Sequence, residues 1–243
     1  LAVERHAAMQ LYLDQIRSVG PMSPGATRAA ARNPDKKPGL NENLAREILE
    51  LHTLGVRTGY SQADVTEFAR ALTGWGVAGL GRGARAEQGE PGSFLFRAAL
   101  HEPGTRTVLG KIYAEQGEAQ ALAVLHDLAA APATADHVAT KLARHFVADD
   151  PPATLVRRLA ATFRESGGDL PTVYRALIEA PESWAERSRK FKTPWEWLVS
   201  SLRGVGLREP GDMQVASIMQ QLGQPVWRPG SPAGFDDIAQ SWA

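Results

Sequence analysis

The chain has 243 residues, enough to bury a substantial core, and no cysteine, which removes disulfides, thiolate metal sites and cysteine nucleophiles together. Lys and Arg number 27, as do Asp and Glu, so there is no basic excess of the kind that marks nucleic-acid binding. No apolar run approaches the roughly 18 residues of a membrane span.

The chain opens inside a helix expected over 5–19, with Met9, Tyr12, Leu13 and Ile16 on one side and Gly20-Pro21 as its stop. The natural N-terminus is therefore expected upstream. Residues 21–39 are rich in Pro, Gly and basic side chains and lack a steady apolar face, which predicts a flexible loop.

GLNENLAREILELHTLGV, residues 39–56, follows. At 100° per residue Leu44, Ala45, Ile48, Leu49, Leu51 and His52 share one arc, and Asn43, Arg46, Glu47 and Glu50 fill the other. Asn41 or Asn43 can cap the helix, and Glu42 suits its positive end. Glu47 and Glu50, three apart, can act as an acid–base pair or share a cation; as exposed partners of Arg46 they contribute only tenths of a kcal/mol, about 0.2–0.5 per pair. Thr53, three beyond Glu50, cannot complete a metal site, and neither metal nor cofactor is expected. His52 reads as a hydrogen-bonded core histidine.

YSQADVTEFARALTGW predicts a helix with a Ser61/Asp64 capping box and Gly74 as its left-handed stop. The glycine-rich stretch 76–92 predicts a second flexible loop. One β-hairpin is expected, 94–99 with 105–109 around Pro103-Gly104, with His101 beside its turn as a third catalytic candidate. Further helices are expected over 117–130, 133–147, 153–165, 171–180, a stretch started by a Thr193/Glu196 capping box and burying Trp195, Leu198, Val199 and Leu202, and 213–222. On 133–147, His137, Lys141, Arg144 and His145 form a basic side that could meet the Glu47/Glu50 stripe or bind an anion. The sum is one all-α domain over 1–243, about nine irregular helices with one small β-hairpin near 94–109.

The motif GLNENLAREILELHTLGV with YSQADVTEFARALTGW, and later LHEPGTRTVLGK, PATADHVATKLARHFVADDPP, KTPWEWLVSSLRGVG and LGQPVWRPGSPAGF, closely resembles the bacterial "domain of unknown function 1800" family. The resemblance implies an internal fragment of that domain, shortened at both ends. It also implies a periplasmic or envelope setting and an exported, sulfatase-like protein as partner. Three functions remain open. The preferred one is a non-catalytic interaction or structural module, with Asn41, Glu42, Asn43, Arg46, Glu47, Glu50, Lys141, Arg144 and His145 as its motif surface. The others are a hydrolase built on Glu47, Glu50 and His101, and anion or glycan binding through Trp75, Trp227 and Arg228.

Overall fold

A computed structural model describes residues 1–33, 35, 39–56, 58–80, 89–186, 190–231 and 234–242. Within them the chain is mostly helical, with ten α-helices and two small antiparallel sheets. It divides into two compact units, Leu1–His137 and Val138–Ala243.

The first unit holds α1 (Ala7–Tyr12), α2 (Pro24–Arg32), α3 (Asn43–Glu47), α4 (Gln62–Leu72), α5 (Glu118–Ala130) and the start of α6 (Pro132–Phe146). Leu44, Ile48 and Leu49 pack with Val65, Phe68 and Leu72 of α4, and Trp75, Val124 and Leu128 complete one continuous core. Each such side chain, once buried, contributes about 1.5–3 kcal/mol through the water it leaves. The sequence period explains the pairing, since α3 and α4 both turn a 3.6-residue apolar stripe inward. The capping box at Ser61 and Asp64 forms as expected, and Gly74 at φ +88° ends the segment.

Three glutamines, Gln10, Gln15 and Gln120, are fully buried in this unit. Their amides donate to main-chain carbonyls, Gln15 to Leu72 at 2.9 Å and Gln120 to Gly104 and Tyr113 at 3.0 and 3.1 Å. They tie carbonyls at the end of α4 and in the segment before α5 to the core.

The expected pairing of 94–99 with 105–109 does not occur. Instead β2 (Phe94–Phe96) pairs with β1 (Trp75–Val77), and β3 (Arg106–Val108) forms a tight hairpin with β4 (Lys111–Tyr113). Leu109, at φ +53°, and Gly110, at φ +76°, make that two-residue turn. The loop expected over 21–39 is also corrected in part: Ser23 accepts from Ala26 N–H, Pro24 starts α2, and three alanines carry it to Arg32. Of the stretch 76–92, β1 takes its beginning, while residues 81–88 lie outside the described residues.

The second unit holds the rest of α6, then α7 (Ala153–Glu165), α8 (Leu170–Glu179), α9 (Pro194–Gly204) and α10 (Val215–Gln221). α7 packs on α8, burying Leu155, Leu159 and Phe163 with Val173 and Leu177. Thr193 and Glu196 close a second capping box at the start of α9. Leu198 is buried there, but Trp195 is 51% exposed, against expectation. No helix among the described residues is long and apolar enough to cross a membrane.

Candidate functional site

The motif 39–56 does not run as one α-helix. After Glu47 the backbone widens into a π-helical turn, Ile48–His52. Thr53 closes it, donating its hydroxyl to the Ile48 carbonyl at 2.7 Å, and Gly55 N–H donates to Leu49 at 3.1 Å. Gly55 sits at φ +95°, and a Cβ there would stand 2.9 Å from His137 Nδ1. That imidazole's Nε2–H donates to the Leu51 carbonyl at 3.1 Å, so α6 serves a carbonyl the π turn leaves over.

Before the turn, Asn41 works in several directions. Its Oδ1 accepts Asn43 N–H at 2.8 Å, its amide donates to Leu13 at 3.2 Å, and its N–H donates to Ser18 Oγ at 3.1 Å. Asn43 adds a longer bond to Leu13 at 3.5 Å. Glu42 accepts from Thr66 at 2.6 Å and Gln62 at 2.7 Å. The Thr66 hydroxyl holds its carboxyl below the usual range, with Gln62 and Arg46 adding to this against partial burial. Arg46 then bonds Gln62 at 2.7 Å and Glu50 at 3.4 Å. The polar stripe is thus a seam from α3 to α4, with Glu50 held by its own helix.

Glu47 goes elsewhere. Its Oε1 lies 3.8 Å from His52 Nε2, while His52 Nδ1 lies 2.8 Å from Glu4 Oε1. Glu4 is 6% exposed, and its Oε2 is buried without a hydrogen-bond partner among the described residues. A carboxylate on one ring nitrogen fixes the imidazole's orientation and leaves the other nitrogen aimed at Glu47. Among the described residues no three His, Asp or Glu side chains are placed to hold a metal ion. Nothing in the sequence joined His52 to Glu4, because the contact spans separate turns and Glu4 lies in no periodic pattern.

His101 joins neither carboxylate pair by any bond described. It is buried, its Nδ1–H donates to the Thr73 carbonyl at 3.0 Å, and it meets Phe96 edge-on. Burial pushes its pKa down, opposed by the Thr73 carbonyl. Glu102 beside it is 3% exposed and accepts Met22 N–H at 2.7 Å, and Gly20 is so close that a Cβ would meet Glu102 N at 2.6 Å. The His101-Glu102 pair therefore locks a loop onto the start of α2. Arg106, also buried, reaches Glu67 at 3.3 Å and the Pro103 carbonyl.

In the second unit, His145 pairs with Asp237 at 3.1 Å, and Lys190 bridges Asp149 and Asp237 at 3.3 Å each. Lys141 and Arg144 are exposed and make no ion pair among the described residues. Of the aromatic candidates Trp75 is 1% exposed, a core residue, whereas Trp227 is 95% exposed and holds a left-handed backbone at φ +57°.

No curated protein and no solved structure matches the chain. A family model, described as Protein of unknown function (DUF1800), matches residues 1–243, so the expected family is the observed one. The chain belongs to the DUF1800 family.

Proposed function

We propose that the chain is a non-catalytic interaction module that docks another protein through its second unit. One observation supports this above the rest: Trp184, Trp195, Trp197 and Trp227 are 73%, 51%, 51% and 95% exposed. Tryptophan is costly to leave in water and is enriched among interface anchors. The motif stripe of the first unit is spent on internal bonds and offers little to a partner. The family resemblance makes an exported, sulfatase-like protein in the cell envelope the first partner to try. Photo-crosslinking in cells tests the reading, with a benzophenone side chain at position 195, 227 or 46. Adducts with one discrete protein are expected from 195 and 227 and none from 46; no adduct from any position sinks the reading.

A hydrolase is the second reading, favoured by the Glu4–His52–Glu47 arrangement. A buried carboxylate that orients an imidazole is half of an acid–base device. Turnover of p-nitrophenyl esters, phosphates, sulfates or glycosides that vanishes in both His52→Gln and Glu47→Gln would establish it.

A further inference from the structure

α6, α8 and the short turn Pro181–Trp184 enclose an open groove of about 450 Å³ in the second unit. Leu142 and Phe146 stand one helical turn apart on α6, and Tyr174 and Ile178 one turn apart on α8. Trp184 completes the apolar lining. The polar atoms near it are committed: Ser183 Oγ donates to the Leu177 carbonyl and Trp184 Nε1 to the Ile178 carbonyl, each at 2.6 Å. A site for a polar small molecule needs several convergent hydrogen-bonding groups, and this groove offers little beyond the Tyr174 hydroxyl. Strand addition needs a sheet edge, and this unit has no β-strand among its described residues. Apolar pairs at one-turn spacing on two walls fit the remaining mode, a helix lying in a groove.

Charge narrows the occupant. Lys141 is one position round the helix from Leu142, and Arg175 one round from Tyr174; both are exposed. Against them stands Glu179, the only carboxylate on α8. Glu182 is neutralised by Arg158 at 3.1 Å, and Asp136, at the start of α6, is already engaged.

We infer that this groove docks an amphipathic helix of a partner protein, with leucine- or phenylalanine-type anchors on one face and acidic residues along its flanks. The inference rests on the interaction reading above and names the surface and the partner's chemistry. Two synthetic helices of about 18 residues test it, leucines at i, i+4, i+7 and i+11, flanked by Glu in one and Lys in the other. Binding to the full chain is read by fluorescence anisotropy at low salt.

The acidic helix is expected to bind about tenfold tighter than the basic one, and Lys141→Glu with Arg175→Glu to reverse that order. Ile178→Ser weakens the acidic helix about tenfold, with folding checked by circular dichroism. Equal binding of the two helices overturns the acidic partner, and binding of neither overturns the helix. Concentration-dependent dimers that Ile178→Ser abolishes would put a second copy in the groove and overturn the proposal equally. Failed peptide binding with crosslinks retained at 195 and 227 removes the groove assignment alone; silence there too removes the interaction reading with it.

Discussion

The two units spend their large side chains differently. In the first, Trp75, Phe68, Leu44, Ile48, Leu49 and Leu72 are almost wholly buried, and three glutamines are drawn in with them. In the second, Leu155 and Leu159 are buried to that degree, while Phe146, Tyr174, Ile178 and four tryptophans stay in water. Both are amphipathic helices with sound caps, so local propensity does not separate them. What separates them is whether an apolar face meets another element of the same chain. Tyr12, Met22 and Ile112 of the first unit are exposed too, so the contrast lies in the tryptophans: the first unit buries Trp75 in a closed core, and the second keeps four in water.

The largest test of that contrast is Phe68→Ala. Phe68 is 0% exposed at the centre of the first core, so its loss is expected to cost about 3–5 kcal/mol in denaturant unfolding. A cost near zero would mean the first unit is not closed. Next come the two capping boxes. Ser61→Ala and Thr193→Ala each remove a side-chain acceptor from a helix start and should cost about 1 kcal/mol. If the units unfold independently, each substitution lowers its own transition and leaves the other in place; one shared transition moved by both would erase the distinction.

Acid gives a smaller effect. Glu42 has a lowered folded pKa, so its contribution to stability is present above the ordinary glutamate range and is lost as pH falls through the folded value. Thr66→Val removes the largest cause, and the acid-unfolding midpoint of the first unit should move to higher pH. In the second unit Asp149 behaves with the same sign: burial opposes its ionisation, but the N–H groups of Ala239 and Phe191, with Lys190, outweigh it. Its own acid loss should be unmoved by Thr66→Val. Smallest of all is Ile178→Ser, at a side chain 60% exposed, expected to change stability by no more than about 0.5 kcal/mol. A large loss there would show that the groove belongs to the second unit's core.

The helical class and both capping boxes were legible because they depend on residues three or four apart. The buried glutamines were not, since a carboxamide that serves a distant carbonyl leaves no period. Pairing of β2 with β1 was missed because strands of three residues carry no alternation, and the nearer Pro103-Gly104 turn suggested a local partner. At the candidate site, the Arg46–Glu50 pair followed from spacing alone, whereas the N-cap falls at Glu42 with no side-chain cap bond, and Asn41 instead accepts Asn43 N–H two residues on. The Glu4–His52 contact, the burial of His101-Glu102 and the exposure of Trp195 depend on which helices meet, information that one-dimensional pattern does not hold.

The π turn at Ile48–His52 has a consequence for comparing relatives. A π turn is an α-helix carrying one residue more than its ladder needs. A family member shorter by one residue between Glu47 and Gly55 would run on as plain α-helix, and every side chain after the gap would rotate by about 100°. The imidazole would then turn away from Glu4 although both residue types were retained. In an alignment, a one-residue gap at that point marks a change of helix type, and it separates members that can form the Glu4–His52 pair from members that cannot.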